Sequence, residues 1–375
     1  WVKLAPCTTA TCNHQTPLFP DYVVSHKSPS IRYYKDCGCP KCKKTFDWEI
    51  ESASLVGSQK LMVNSSQFSA GIGRENKRWA YATDKSHVVC PWCQETITPQ
   101  KVKPKKEKKK VPLSVLYCPH CEEVWQYRGE IKNEKIECPT CKHLYSPKEG
   151  TIPSKGKFKC GGTCNGNVDS IITSIRKLPA DQLLTIRPYA IEGFCKKCSG
   201  SERENKIEEK FFEIEDQNIE KEIKKNKISL LEKNNGKFFK RYASSDFIKY
   251  QNAQNLWEKE KINLPYPKSE IPVGYNTNQM LKHNYNHWHQ MFNDRQLLAL
   301  STLLCAIGEE KKQVLRELLL SQLFLVLESN NMFTRYRPDA DKSEGVFARH
   351  DYQPKITMVE GNIWGSDYGK NSLQK

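Results

Sequence analysis

The spacing of the cysteines constrains this chain more than any other feature of its sequence. Fourteen of its 16 cysteines fall into seven pairs whose members are separated by only two to four residues. Disulfide frameworks scatter their cysteines, whereas a short gap lets both thiolates of one tight turn face a single tetrahedral ion. We therefore predict structural zinc. The predicted ligands are Cys7, Cys12, Cys39, Cys42, Cys90, Cys93, Cys118, Cys121, Cys138, Cys141, Cys160, Cys164, Cys195 and Cys198.

The spacing of the pairs also indicates how they combine. The strongest candidate joins the pairs 118/121 and 138/141, because the 16 residues between them match a four-cysteine zinc ribbon. A second candidate joins 160/164 to 195/198, and a third joins 7/12 to 39/42. The pair 90/93 is then left over. Either it recruits another ligand, or the pairs combine differently from this scheme. The candidate additional ligands are His87, His120 and Cys37.

The positive charge of the chain is concentrated in its first half. The net charge is +16, and residues 1–200 hold 32 Lys and Arg against 18 Asp and Glu, whereas residues 201–375 hold 27 against 25. Three four-thiolate zinc sites, each with a charge of about −2, would still leave the first half basic, at roughly +8. Because each neutralised phosphate releases a counterion, a basic surface suits nucleic acid, and we expect DNA as a partner. Solubility alone is the simpler explanation.

The first half is predicted to consist of small β modules. Short β-type segments lead into or out of the cysteine turns, so residues 1–100 and 113–200 are predicted to form zinc-knuckle and zinc-ribbon modules. Modules of this size bury too little apolar surface to fold without metal. Residues 101–112 begin with a tract of seven lysines and one glutamate. We predict a solvated linker there, with a nucleic-acid tether as the alternative.

The second half is predicted to be largely helical. Residues 201–263, rich in Glu, Lys, Asn and Ile, indicate a charged helical spacer with a turn near Gly236 and a second helix over residues 244–261. In residues 264–375, Asn293 is predicted to cap a helix that ends near Gly308. Glu309 and Glu310 are predicted to begin another helix, which must be buried because it is apolar over much of its surface. Residues 355–359 resemble a buried strand.

Thiolate-only ligand sets favour zinc that holds the fold over catalytic zinc, since a catalytic ion keeps one position open and takes histidine or carboxylate ligands. His283, His287 and His289 could share a surface, but Asn284 stands where a metalloprotease motif requires glutamate. A capping or packing role is therefore favoured for these histidines. Residues 68–73 superficially resemble a cofactor loop, but a β-turn is the favoured interpretation.

Three stretches of the chain together resemble one protein family. They are the cysteine knuckles, residues 271–277 with 287–300, and residues 345–351 with 360–365. They resemble the zinc-ribbon-containing, adenine-specific DNA methylases. The most specific segment contains Arg295 and Gln296, and Glu360 and Asn362 lie in the second conspicuous motif. The resemblance leaves the roles of these four residues open.

The resemblance implies transfer of a methyl group from S-adenosylmethionine to N6 of an adenine flipped out of DNA. In the family a Phe-x-Gly-x-Gly cofactor loop precedes the knuckles, and an Asp/Asn-Pro-Pro-Tyr/Phe motif follows the Glu-x-Asn segment. This sequence has no Pro-Pro dipeptide and begins at Trp1 rather than Met. The chain is therefore expected to be the insertion between the two motifs. Other residues of a longer protein would bind S-adenosylmethionine and perform catalysis, and the chain alone is expected to be inactive.

The predicted fold class is thus α+β and multi-modular. It comprises several small β zinc-ribbon or zinc-knuckle modules, then a charged helical spacer, then a helical and α/β segment that the resemblance assigns to a methyltransferase core. Two other functions fit the same residues. One is a non-catalytic multi-ribbon protein that binds nucleic acid or assembles complexes, and the other is a zinc-stabilised interaction platform without nucleic acid.

The location expected from the sequence is the cytoplasm, within a restriction-modification or related DNA-methylation system. No secretory signal precedes the cysteines. The longest apolar run, residues 318–327, is interrupted by Ser321 and Gln322 and is too short to cross a bilayer. No association with a membrane is therefore expected.

Overall fold

The structure is a computed structural model in which short strands dominate the first half and helices the second. Its described residues are 1–28, 30–49, 78–81, 88–90, 92–97, 105–110, 112–164, 166–194, 237–338, 342–348 and 352–364. The strands are β1 (Val2–Pro6), β2 (Gln15–Pro17), β3 (Val23–Lys27), β4 (Ser30–Gly38), β5 (Thr45–Glu49), β6 (Arg78–Tyr81), β7 (Val88–Val89), β8 (Thr96–Ile97), β9 (Lys105–Lys110), β10 (Leu113–Tyr117), β11 (Val124–Arg128), β12 (Ile136–Glu137), β13 (Leu144–Tyr145), β14 (Lys157–Lys159), β15 (Val168–Ser170), β16 (Ile186–Arg187), β17 (Ala190–Phe194), β18 (Lys237–Arg241), β19 (Arg335–Arg337) and β20 (Lys342–Glu344).

The described residues form five α-helices, and the three longest lie in the second half. They are α1 (Ile171–Arg176), α2 (Ser244–Glu260), α3 (Asn278–Leu281), α4 (Asp294–Gly308) and α5 (Gln313–Ser329), with 3-10 helices at Trp288–Met291 and Val346–Ala348. Among the described residues, none of these helices has the length and apolar character needed to cross a membrane.

The main core lies between two three-stranded sheets, with strand orders β16-β1-β2 and β11-β10-β3. Helix α1 covers one side of this core, because Ile171 and Ile175 lie one turn apart on its buried side. The Ser170 side chain caps the start of the helix by accepting a bond from the Thr173 amide. Strand β3 pairs with β10, and β1 pairs with β16. The predicted modules 1–100 and 113–200 therefore share sheets rather than pack as separate units.

The lysine tract adopts a regular structure where the sequence predicted a solvated linker. Residues Lys105–Lys110 form β9, the edge strand of a four-stranded sheet with the order β6-β5-β4-β9. Six consecutive residues of β9 pair antiparallel with β4. The partner strand supplies a hydrogen-bonding ladder that local composition cannot reveal, and a lysine-rich strand is a common way to protect a sheet edge.

The helical half agrees with the sequence in two places. Helix α2 confirms the helix predicted over residues 244–261, and its Asp246 side chain accepts a bond from the Ala243 backbone at 3.0 Å. Helix α4 begins after Asn293 as predicted, because the Asn293 and Gln296 side chains exchange bonds with each other's backbone. The spacer predicted over 201–263 includes strand β18, and its residues 201–236 lie outside the described residues.

Two expectations for the last third are wrong. Helix α5 begins at Gln313 rather than at the glutamates, and much of its apolar surface is exposed, with Val314 71% and Leu318 60% exposed. Residues 355–359 do not form a strand, because only Thr357 makes a β-bridge, to Val2. The segment instead lies along the start of the chain, where the Lys3 amide donates to the Ile356 carbonyl at 3.0 Å.

Candidate metal centres

Four of the cysteine pairs are built on one backbone design. Each has the sequence Cys-Pro-x-Cys, and the residue after the second cysteine has a left-handed φ between 61° and 64°. The amide of the first cysteine donates to the carbonyl five residues later, and its carbonyl accepts from the left-handed residue. These bonds turn both thiols to the inside of one tight loop. The four left-handed residues are Lys43, Gln94, Glu122 and Lys142.

The described cysteine pairs converge into three groups of four. In each group all four sulfur atoms lie within 4.8 Å of one another. Site 1 comprises Cys7, Cys12, Cys160 and Cys164; site 2 comprises Cys39, Cys42, Cys90 and Cys93; site 3 comprises Cys118, Cys121, Cys138 and Cys141.

The sulfur spacing in all three sites fits a tetrahedral four-thiolate ion. With Zn–S bonds of about 2.3 Å, a regular tetrahedron has sulfur atoms about 3.8 Å apart. In each site, two Sγ–Sγ contacts between the two pairs measure 3.5 to 3.8 Å. A disulfide would bring two sulfur atoms to about 2.05 Å. The donor chemistry and the spacing therefore both suit zinc and not a disulfide.

The structure confirms one of the three predicted pairings and corrects the other two. Site 3 is the ribbon expected from the spacing. The pair 7/12 joins 160/164 rather than 39/42, and 39/42 joins the pair 90/93 that was left over. Sequence held a signal for this result, because the knuckles with proline pair with each other and the two longer loops without it form site 1.

Site 1 connects segments that are far apart in the sequence. Its two loops follow β1 and β14, and Cys12 and Cys160 lie 148 residues apart. Asp169 lies next to it, with a carboxylate oxygen 3.6 Å from the Cys7 sulfur and 3.1 Å from the Thr8 amide. The site is therefore fixed by contacts from β15 as well as by its own loops.

The thiols of each metal-free site have unequal proton affinities. Backbone hydrogen bonds lower the pKa of Cys12 and of Cys141 to about 6. Burial raises the pKa of Cys90 to about 12, and the neighbouring Cys160 thiol together with burial raises the pKa of Cys164 to about 12. Four crowded thiols cannot all ionise without a cation, and a divalent ion removes that conflict.

Several predicted ligands stand outside the three groups. Cys37 is buried beside site 2 without belonging to its four-sulfur group, and His120 stacks on His143 with ring centroids 5.0 Å apart. His87, Cys195 and Cys198 lie outside the described residues. Burial lowers the pKa of His283 to about 4, and rings of His287 and His289 lie 5.4 Å apart, which fits the packing role that the sequence favoured.

The two motifs of the second half meet in one ion pair. Arg295 donates to both oxygens of Glu360, at 2.7 and 2.9 Å, and its guanidinium lies 5.2 Å from the Tyr250 ring centroid. The Trp1 indole also donates to Glu360, at 2.8 Å, and its ring lies 4.9 Å from Tyr250. The Glu360 side chain is only 8% exposed. The ion pair joins two segments that lie 65 residues apart in the chain.

The other two motif residues have local structural contacts. Gln296 is fully buried at the start of α4, where its side-chain oxygen accepts from the Asn293 amide at 3.1 Å. Asn362 accepts a bond from the Trp364 amide at 3.2 Å. Both side chains therefore shape the backbone around the Arg295–Glu360 pair.

No protein-family model, curated protein or solved structure matches this chain.

Proposed function

We propose that this chain is the zinc-binding, DNA-contacting part of an S-adenosylmethionine-dependent DNA N6-adenine methyltransferase. Zinc in sites 1, 2 and 3 holds the β modules together, and the basic first half faces DNA. The chemistry of methyl transfer belongs to a cofactor loop and a catalytic motif outside residues 1–375.

The observation that carries the proposal is the bidentate Arg295–Glu360 pair. The resemblance to the methylases rests on separate stretches of sequence, and two of them meet in this contact. A charged pair with a nearly buried carboxylate is a poor source of stability compared with apolar packing, and its use here is consistent with fixing the relative position of two motifs.

The neighbourhood of Glu360 gives further support. The backbone nitrogen of Trp1 donates to the Met358 carbonyl at 2.9 Å, and Val2 bridges Thr357. Residues 1–3 and 356–360 thus run side by side. This pairing holds the segment before Glu360 in place, so the contact between Glu360 and Arg295 has a defined geometry.

The test is methyl transfer by the chain joined to the sequence encoded on both sides of it. We expect transfer from labelled S-adenosylmethionine to adenine in unmethylated duplex DNA. Glu360→Gln, which frees the Arg295 guanidinium, is expected to reduce transfer about tenfold, whereas the exposed-site control Glu309→Gln leaves it unchanged. Absence of an Asp/Asn-Pro-Pro-Tyr/Phe motif after residue 375 in the reading frame would overturn the proposal.

A second candidate function is favoured by the thiolate-only ligand sets. A non-catalytic multi-ribbon protein that binds nucleic acid would need the same three sites and the same basic charge. It predicts DNA binding that weakens steeply with salt and no methyl transfer in any extended form of the chain.

A further inference from the structure

Site 1 is built on longer loops than sites 2 and 3. In sites 2 and 3 the amide of the first cysteine of each knuckle donates to the carbonyl five residues later. In site 1 the Cys7 amide donates to the His14 carbonyl at 3.0 Å, seven residues later. The Cys160 amide donates to the Asn167 carbonyl at 2.9 Å, again seven residues later. Neither loop has a proline or a left-handed residue between its cysteines, so local backbone bonds hold the thiols of site 1 less tightly.

A carboxylate lies beside one pair of thiols in site 1. The Asp169 Oδ2 atom lies 3.6 Å from the sulfur of Cys7, which is itself 3.5 Å from the sulfur of Cys164. The Thr8 amide donates to the same carboxylate oxygen at 3.1 Å, and the Thr8 hydroxyl donates to the other oxygen. Asp169 is therefore an oxygen donor held in place next to the metal ligands.

An imidazole lies beside the other pair of thiols. The His14 Nδ1 atom lies 3.8 Å from the sulfur of Cys160, which is 3.8 Å from the sulfur of Cys12. The Thr16 hydroxyl lies 3.1 Å from the same nitrogen and orients the ring. A β-carbon at Gly162 would lie 2.5 Å from the β-carbon of His14, so the glycine permits this close approach.

Site 1 thus brings together six side chains that can bind zinc. Thiolate, imidazole and carboxylate are all common zinc ligands, and four thiolates already complete a tetrahedral site. Asp169 and His14 are therefore in excess of the four ligands required. His120 gives site 3 an imidazole bonded to Cys141, but its knuckles are closed by the shorter backbone loops. Among the described residues, no carboxylate is hydrogen-bonded to a thiol of site 2 or site 3.

We propose that site 1 is an exchangeable zinc site, in which Asp169 and His14 serve as auxiliary ligands while thiolates leave and return. One ligand bond breaks as another forms, and no electrons are transferred. Exchange of a thiolate for a carboxylate also leaves the charge of the site unchanged, since both are single anions. Sites 2 and 3 keep their ions, whereas site 1 equilibrates with the zinc chelators around the protein.

The position of site 1 gives this exchange a consequence for the fold. The site joins the loop after β1 to the loop after β14, and Cys12 and Cys160 lie 148 residues apart. Zinc availability therefore controls one link between remote parts of the first half. The inference does not depend on the function proposed above, because it concerns the metal ligands alone.

Burial alone predicts the opposite order of exchange. Three of the four cysteines of site 1 are buried, compared with two in each of the other sites. An ion that loses a thiolate in a buried site needs a replacement ligand, and water reaches such a site poorly. Donors already present in the site supply that replacement. The order in which the three sites exchange therefore separates the two explanations.

The experiment follows the exchange of bound zinc against an excess of an enriched zinc isotope, using the zinc-saturated full chain and native mass spectrometry. We expect one ion to exchange at least about tenfold faster than the others. Alkylation by N-ethylmaleimide during competition with EDTA, mapped by peptide mass spectrometry, assigns that ion to a site. The cysteines expected to be modified first are Cys7, Cys12, Cys160 and Cys164. Neither measurement depends on the folding of a variant.

Substitution of the auxiliary ligands distinguishes their role from a structural one. Loss of a contact that only supports the site loosens it and speeds exchange, whereas loss of an auxiliary ligand slows exchange. Asp169→Asn and His14→Gln are each expected to slow the fast ion about fivefold or more, with zinc content unchanged. The matched controls are Asp181→Asn, an exposed acid, and His120→Gln, the imidazole beside site 3. Both are expected to leave the fast rate unchanged, and circular dichroism checks the fold of each variant.

Four outcomes would overturn the inference. They are equal exchange rates for all ions, first alkylation at site 2 or site 3, unchanged or faster exchange in both Asp169→Asn and His14→Gln, and equal slowing in the control variants. These outcomes are separable from the proposed function. Methyl transfer by an extended chain whose site 1 exchanges slowly removes only this inference, and fast exchange without methyl transfer removes only the proposed function.

Discussion

Individual thiols decide whether a four-sulfur site can close around an ion. In site 1, the Cys12 sulfur lies 3.8 Å from that of Cys160, and burial limits replacement by water. A hydroxyl at this position is a weaker zinc ligand than a thiolate. By contrast, Cys305 lies in α4 and belongs to none of the metal-capable groups among the described residues.

We therefore predict that Cys12→Ser lowers the zinc content by one ion per chain and lowers the thermal unfolding midpoint. Cys305→Ser, which makes the same chemical change, should keep both values. Elemental analysis of desalted protein and calorimetry measure the two quantities. Unchanged zinc content in Cys12→Ser would mean that site 1 does not hold an ion in solution.

Helix α5 shows that an apolar sequence does not by itself define a buried helix. Leu323 and Val326 are buried against α4, whereas Leu318 of the same helix is 60% exposed. The sequence predicted burial because apolar residues cover much of the helix surface. Which of them are covered depends on the direction from which α4 packs against the helix, and this is a tertiary property.

The exposed and buried leucines of α5 give a matched pair of substitutions. Leu323→Ala should lower the free energy of unfolding by about 2–4 kcal/mol, because it leaves a cavity in a packed cluster. Leu318→Ala on the same helix should lower it by less than about 1 kcal/mol. Urea denaturation followed by circular dichroism measures both. A similar loss in the two variants would show that Leu318 is covered in solution.

The metal sites matter at the scale of the whole molecule, because sites 1 and 2 each connect strands that are remote in sequence. At neutral pH at least two thiols of each metal-free site hold their protons, because their pKa values are raised. Burial is the chief cause of the raised pKa values in sites 2 and 3, and it is one of the causes in site 1. These thiols are Cys7 and Cys164, Cys90 and Cys93, and Cys118 and Cys121. Zinc must displace those protons when it binds.

We accordingly predict that zinc affinity rises with pH by at least about 100-fold per unit near pH 7, because two or more protons leave for each ion. The dependence should steepen below pH 6, where Cys12 and Cys141, with pKa values of about 6, also become protonated. Competition with a chromophoric zinc indicator at several pH values measures the slope. A change of less than tenfold per unit would contradict the prediction.

Much of the local structure was predictable from sequence because its causes are local. The Cys-Pro-x-Cys turns, the start of α4 at Asn293 and the helix beginning at Ser244 all depend on bonds between residues a few positions apart. The resemblance to the methylases and the location in the cytoplasm remain predictions, since they depend on residues and partners beyond these contacts.

Sequence alone determined that thiolate knuckles exist and that site 3 forms a ribbon, because both ends of that site lie within one short stretch of chain. Only the tertiary structure decided that 7/12 meets 160/164 and that 39/42 meets 90/93. The length of chain between two cysteine pairs carries no information about which remote strands become neighbours. The same reason explains the lysine tract, since composition alone predicted a solvated linker and pairing with β4 made it the edge strand of a four-stranded sheet.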